Sequence, residues 1–370
     1  MDNKKIRAVG ALVLVVIWAA LTGFAWFSPA KEQSEAERRP LLQMPQISGE
    51  AIMDGSFMSD FGSASLDQFP LRDTFRSVKA LFHKYVLGHT DNNGYFYKDG
   101  YLAVQDLTLD QEAVQKKLDA LNMVYQNFIA PNQANCYVSI VPDKSYYLSG
   151  QYGYPSLDYA QLISTVQKEL SWGEYIDITD TLELSDYYRT DTHWRQEALI
   201  PTAQKLANAM GVSGPKAEDF TAEKIEKPFY GVYHAQAALP VPADEMYILR
   251  SELLDSLKIS VDMSYQADIY DRSKLDSDDQ YNIYLSGAKT GFVTIDNPNA
   301  ASEKTLVIFR DSFGSSIAPL FVQDYSKVIL IDLRVFSRMS MGMVAENFAG
   351  ADVLVLLSTL AMNNADEAFK

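Results

Sequence analysis

The 370-residue sequence holds a single cysteine, Cys136. No intramolecular disulfide can form, and neither a C-x-x-C pair nor a Cys/His ligand spacing exists, so dithiol redox chemistry is excluded. Within the apolar run CYVSIVP, Cys136 reads as a small core residue. Histidine is scarce as well. His83, His89, His193 and His234 lie too far apart to make a local metal motif, and the sequence points to no metal and no cofactor. Low-complexity tracts and fixed-period repeats are missing, which excludes disordered and solenoid chains. Positive charge is in deficit. Thirty-two Lys and Arg face 48 Asp and Glu, a net charge of -16, whereas a nucleic-acid surface needs clustered cations.

What is present is a body large enough for one big core or two modest ones, with 47% hydrophobic and 22% charged residues. Residues 1–28 carry Lys4, Lys5, Arg7 and Asp2, so the remainder holds 29 basic and 47 acidic side chains, a net of -18. Such a body repels a polyanion unless its cleft is locally basic, and a neutral glycan fits it better.

The N-terminus carries the one long apolar run. Ala8–Phe27 has no formal charge, and 20 helical residues at about 1.5 Å each span roughly 30 Å, the thickness of a bilayer core. Trp18 and Trp26 add one mid-helix and one interfacial aromatic. Basic residues 1–7 keep that end cytoplasmic and send the rest outside. The alternative is a cleaved signal peptide, because Ser28-Pro29-Ala30 places small residues at -3 and -1. The run exceeds the usual 7–15 residues of a signal core, which favours an uncleaved anchor over 8–28. No lipobox cysteine exists. A disulfide-free exported protein suits a Gram-positive-like surface.

Residues 29–58 are polar and proline-spaced, a linker that holds the body off the membrane. Residues 59–370 are expected to form one α/β domain. Helical spacing runs through Phe69, Leu71, Phe75, Val78, Leu81 and Phe82. Asp99-Gly100 predicts a hairpin turn after Gly94-Tyr-Phe-Tyr. A long amphipathic helix is expected over Asp110–Ala130, then a strand at Cys136–Val141, a helix near Leu157–Leu170 and a strand at Glu174–Ile178. Residues 215–300 break this rhythm with short β-like runs (Tyr247–Leu249, Ile259–Met263, Tyr281–Leu285, Phe292–Ile295), read as an antiparallel insertion. The alternation returns with strands Thr305–Arg310, Lys327–Asp332 and Asp352–Leu357 and helices Ser315–Tyr325 and Met341–Phe348. The pattern is that of a parallel sheet covered by helices on both faces, with ligands at the carboxyl ends of its strands.

Two short motifs sit where such a sheet would use them. Asp311-Ser312-Phe313-Gly314 follows a strand and precedes a helix, which would lift Ser312 clear of the sheet with backbone N–H groups, its own and that of Gly314, aimed at an oxyanion. A serine capping a helix explains the same letters. In Arg189-Thr190-Asp191-Thr192-His193-Trp194, residues two apart share a side in extended chain. Asp191 can then hold Nδ1–H of His193 and leave Nε2 as the base that a serine nucleophile needs, with Trp194 walling the ring. A helix N-cap at Asp191 or Thr192 is the alternative, before a helix at about Arg195–Met210.

RTDTHW and VIFRDSFG together resemble the DHHW family and the related alginate O-acetyltransferase proteins of SGNH-hydrolase-like fold. The resemblance extends over most of residues 60–360, through Asp67-Gln-Phe-Pro-Leu-Arg-Asp73, Pro142-Asp143-Lys144, Asp279-Gln-Tyr-Asn-Ile-Tyr-Leu-Ser-Gly287 and Ile331-Asp332-Leu333-Arg334. It implies a three-layer α/β/α fold and assigns a catalytic triad to Asp191, His193 and Ser312, in an order permuted relative to ordinary SGNH esterases. Arg310 stands where many relatives have glycine and Thr192 where the namesake motif has histidine. Arg310 either crowds the Ser312 turn or faces away. Lys144, Tyr188 and Arg334 are further candidates, to contact sugar or the oxyanion, or to make structural ion pairs or hydrogen bonds. The implied activity is O-acetyl transfer to a cell-surface or secreted polysaccharide, with a membrane-bound O-acyltransferase partner supplying acetyl groups from the cytoplasm. A polysaccharide acetyl esterase, or a non-catalytic glycan-binding or assembly protein on the same fold, are the alternatives.

Overall fold

The structure is a computed structural model, which describes residues 3–34, 37, 39–262, 265–277, 279–287, 290–366 and 368–369. The chain divides into two units, Met1–Asn92 with Ala235–Pro240, and Asn93–His234 with Val241–Lys370.

The first unit begins with helix α1 (Asn3–Phe27). Its segment Lys4–Ala25 is long and apolar enough to cross a membrane, and none of it is buried. The next stretch is less linker-like than its composition suggests. Gln33–Ser34 pairs antiparallel with Arg39–Pro40, and a one-turn helix Gly49–Met53 is capped by the Ser48 hydroxyl. Helices α2 (Ser56–Asp67) and α3 (Arg72–Tyr85) follow. Asp67, almost buried, receives both terminal nitrogens of Arg39 at 2.7 and 2.8 Å. That bond holds its carboxyl down to about 2 against the opposing effect of burial.

The second unit is built on an eight-stranded sheet. Its strands are β3 (Asn135–Val141), β4 (Glu174–Tyr175), β7 (Lys258–Val261), β8 (Tyr265–Asp268), β9 (Phe292–Asp296), β10 (Thr305–Arg310), β11 (Lys327–Ile331) and β12 (Asp352–Ser358), in the order β8-β7-β9-β11-β10-β12-β3-β4. From β11 to β4 every pairing is parallel. β9, β7 and β8 extend the sheet antiparallel. Outside it lie hairpin β1–β2 (Tyr95–Lys98, Tyr101–Val104) and ribbon β5–β6 (Thr221–Phe229, Asp244–Arg250).

Strand periodicity sorts the core into two layers. Leu306 and Ile308 of β10 and Leu354 and Leu356 of β12 point to one side. Val307, Phe309, Val353, Val355 and Leu357 point to the other. Helices α4 (Gln111–Val124) and α6 (Tyr159–Glu169) cover the second face through Val114, Leu118, Leu121, Leu162 and Val166. α7 (Ile200–Ala209) and the short α8 (Gly314–Ile317) cover the first through Ala203, Leu206 and Ile317.

Several expected helices are shorter than their patterns. The α4 run passes into a π turn at Tyr125–Ile129. Pro319 lacks an N–H and sits where α8 tightens into the 3-10 turn Ala318–Phe321. The Met341–Phe348 segment is two 3-10 turns, Arg338–Met343 and Ala345–Phe348. The expected strand Tyr281–Leu285 is a 3-10 turn, Gln280–Ile283. The Asp279 side chain caps it by accepting from Tyr281 N–H at 3.3 Å, and Leu285 and Ser286 leave it in the left-handed region, where no strand continues.

Candidate active site

β10 ends at Arg310, and the chain turns at Asp311 to begin α8 at Gly314. Asp311 makes that turn. Its Oδ1 accepts Phe313 N–H at 2.9 Å, and its Oδ2 accepts Ser358 N–H, at the end of β12, at 2.7 Å. The turn is thus tied to the neighbouring strand. A side chain at position 314 would not fit, because a Cβ there would stand 2.5 Å from Arg310 Cβ. Asp311, Phe313 and Gly314 are buried, whereas Ser312 stays partly exposed at the tip.

The loop Tyr187–Trp194 closes over this tip. Nδ1–H of His193 donates to Asp191 Oδ1 at 2.6 Å, which leaves Nε2 to accept from Ser312 Oγ at 2.7 Å. The three side chains form one hydrogen-bonded line, although His193 and Ser312 are 119 residues apart. Asp191 is 1% exposed and His193 7%, so the line runs from a dry carboxylate to an accessible hydroxyl. Asp191 is held from behind: Oδ1 also accepts His193 N–H at 3.1 Å and Oδ2 accepts Val232 N–H at 3.0 Å.

The loop is clamped at its base by Asp244 at the start of β6. One carboxylate oxygen accepts Arg189 N–H at 2.7 Å, and the other accepts Thr190 N–H at 2.8 Å and Thr190 Oγ1–H at 2.5 Å. The His193 ring is walled by Tyr281, stacked at 3.7 Å between centroids and 7° between planes, and by Phe313 at 4.9 Å. The Tyr281 hydroxyl is held by Ser316 Oγ at 2.8 Å.

The other candidates have different places. Trp194 does not wall the ring. It is fully buried beneath α8, its Nε1–H donating to Ser316 Oγ at 2.9 Å and Phe313 O at 3.2 Å. The Gly314 N–H is committed to Asp311 O at 3.2 Å, which removes it as an oxyanion donor. No described group accepts from the Ser312 N–H, which remains available. Tyr188 is buried edge-on against Phe229, and its own N–H donates to His193 O. Lys144, which opens helix α5 (Lys144–Tyr152), is 1% exposed and donates to Tyr188 O at 2.9 Å and Arg189 O at 3.3 Å. Burial pulls its ammonium down to about 7, with Asp244, Asp191 and Asp143 pulling the other way.

Arg334 donates through Nε and Nη2 to the two Asp332 oxygens at 2.9 and 2.7 Å, a bidentate pair. Arg310 faces the same region. Its guanidinium donates to Thr290 O and Oγ1 at 3.1 and 3.0 Å and lies 3.6 Å from Asp332. The Arg310 side chain therefore turns toward β11 and the chain before β9. Among the described residues no group of three or more His, Cys, Asp or Glu is placed to hold a metal ion. A cavity of about 330 Å³ opens between Phe220, Leu253, Leu254 and Leu320, and no residue of the Asp191–His193–Ser312 line borders it.

Sequence reasoning reached the three side chains and missed their supports. Gly231, between Tyr230 and Val232, is a visible sign of close backbone approach. Asp244 carries no local signal, and Tyr281 lies in the Asp279–Gly287 stretch of the resemblance without a role of its own there.

No family profile matches the sequence, and no curated protein matches it. Solved structures do. A DHHW family protein from Eubacterium siraeum superposes with a TM-score of 0.61 at 19% identity, over 75% of this chain and 94% of that one. Bacillus cereus PatB1 superposes at 0.60 and 18% identity, over 75% and 99%, and has also been solved with a sulfonyl adduct. At these identities the likeness establishes a common fold. The O-acetyltransferase domain of Pseudomonas putida AlgJ aligns more loosely, at 0.45 and 13% identity over 73% and 92%.

Proposed function

We propose that the chain is a membrane-anchored, extracytoplasmic O-acetyltransferase that modifies a polysaccharide through an acetyl-serine intermediate. The observation that carries this reading is the hydrogen-bonded line from Asp191 through His193 to the partly exposed Ser312. The resemblance of RTDTHW and VIFRDSFG to the DHHW and alginate O-acetyltransferase motifs supports the choice of acyl group, and the fold shared with PatB1 and the DHHW protein agrees with it.

In the first half-reaction Ser312 Oγ attacks the acetyl carbonyl carbon while His193 Nε2 takes the hydroxyl proton. Asp191 stabilises the imidazolium without accepting the proton. The Ser312 N–H donates to the oxyanion. The carbonyl–donor bond then breaks, and the leaving group takes the proton from His193. In the second half, a sugar hydroxyl gives its proton to His193 and attacks the acetyl-serine, and Ser312 recovers its proton as the ester forms on the sugar. α1 anchors the enzyme, and a membrane-bound acyltransferase supplies the acetyl group at the outer face. The net of -18 beyond residue 28 favours a neutral acceptor glycan.

Full-length protein in detergent, given an activated acetyl ester with and without a neutral oligosaccharide, tests this. Acetylated sugar is the expected product. Free acetate released at a rate indifferent to the sugar would identify an esterase. Turnover that survives Ser312→Ala would remove the triad assignment.

A further inference from the structure

α3 is amphipathic, and it turns an apolar stripe outward. Phe75, Val78, Phe82 and Tyr85 fall in one stripe about 80° wide at 100° per residue, preceded by Leu71 at the N-cap, and these side chains are exposed: Leu71 is 63% accessible, Val78 57% and Tyr85 71%. Two arginines of α3 are drawn into ion pairs within the unit instead, whereas Asp73 and Lys79 stay exposed. Arg72 pairs with Glu37 at 2.5 Å and with Asp67 at 3.3 Å. Arg76 pairs with Glu37 at 3.0 Å and donates to the carbonyls of Ala235 and Gln236, each at 3.1 Å. The neighbouring elements of the same unit continue the pattern, with Met53, Met58, Phe61, Leu66, Val86 and Leu87 all exposed. A water-facing helix turns its polar side outward, whereas here the apolar stripe faces out, an arrangement that suits an apolar medium. An apolar patch of this extent marks an interaction surface.

The chain itself supplies the medium. α1 belongs to the same unit and ends at Phe27, and α2 begins at Ser56. A span in the bilayer therefore holds α2 and α3 at a short tether from its surface, at high effective concentration. We infer that α2 and α3 lie in the lipid–water interface, with the Leu71–Tyr85 stripe among the upper acyl chains and Lys79 at the stripe's edge reaching the headgroups. This rests on the reading of α1 as an anchor and goes beyond it, because it makes the first unit a membrane-bound platform rather than a free linker.

The test uses the full chain reconstituted in phosphatidylcholine–phosphatidylglycerol vesicles, in a Cys136→Ser background with one new cysteine carrying an environment-sensitive fluorophore. Labels go at Val78→Cys, Phe82→Cys, Leu14→Cys within α1, and Glu174→Cys on the second unit. Labels at 78 and 82 are expected to emit to the blue, to be quenched several-fold by nitroxide lipids, and to resist aqueous iodide, with the reverse at 174. Quenching by iodide at 78 and 82 overturns the proposal. Shielding of those labels from both quenchers also overturns it, and an oxidatively cross-linked Val78→Cys dimer would then name a second copy as the cover. The label at 14 keeps the two readings apart. Lipid quenching at 14 but not at 78 leaves the anchor and removes the interfacial helices, whereas quenching at 78 alone does the opposite.

Discussion

A Cβ placed on Gly231 would stand 2.2 Å from the Cβ of Asp191 and 2.3 Å from its Cα. The backbone at Gly231 lies directly against the residue that orients His193, and the next N–H, of Val232, is one of the donors to its carboxylate. Gly231→Ala must push the two segments apart. We expect a stability loss of about 1–3 kcal/mol, the usual range for forced overpacking, together with a fall in kcat of at least about tenfold because general-base geometry is disturbed. Steady-state kinetics with a urea midpoint check it. An unchanged kcat in a destabilised variant would show that Asp191 tolerates displacement.

The line of three side chains predicts a graded series. Ser312→Ala should abolish acetyl-enzyme formation. Asp191→Asn keeps the shape but favours the wrong histidine tautomer, and should lower kcat by about 10⁴. An aryl sulfonyl fluoride should add one sulfonyl group to Ser312, read by peptide mass, and His193→Ala should slow that labelling. Equal labelling rates in the two proteins would show that His193 does not activate the serine.

Tyr281 separates stacking from hydrogen bonding. Tyr281→Phe keeps the ring on His193 and loses only the bond to Ser316, a change of about 1 kcal/mol. Tyr281→Ala removes a fully buried aromatic, with an expected stability cost of about 3–5 kcal/mol and a lower kcat at unchanged fold content. A phenylalanine variant as impaired as the alanine one would assign the effect to the hydroxyl.

Lys144 gives a pH signature. Its ammonium sits at about 7 in the native protein, lowered by burial from its ordinary 10.5. Between those values the unfolded chain binds the extra proton, so stability rises with pH across that window and the penalty is full below about 7. The urea midpoint of the parent protein should therefore climb from pH 7 to pH 10 relative to that of Lys144→Met. Parallel curves would contradict the buried, proton-shedding lysine.

The parallel strands were legible because a strand covered on both faces leaves an uninterrupted apolar run. Cys136–Val141, Thr305–Arg310 and Asp352–Leu357 match the structure to within one residue at each end. Helix lengths were less so, since apolar spacing in Ser315–Tyr325 does not register what Pro319 does to the ladder. Tyr281–Leu285 looked like a strand because Tyr281, Ile283 and Leu285 fall two apart, an alternation too short to tell a strand from a buried 3-10 turn. At the site, the two-residue spacing of Asp191 and His193 was local and therefore readable. The approach of Ser312 depends on sheet order, and no spacing within either motif records it. Asp244 acts on backbone N–H groups and Tyr281 through a ring face, so neither leaves a pattern near RTDTHW or DSFG.

The placement of Tyr281 sets a limit on how far the protein can be trimmed. The ring against His193 comes from the irregular region between β8 and β9, and the loop clamp comes from β6. A shortened version reduced to the parallel strands and their covering helices would lose what orients the His193 ring toward Ser312. Variation in acceptor choice is then more easily sought on the outer surfaces of that region than by removing it.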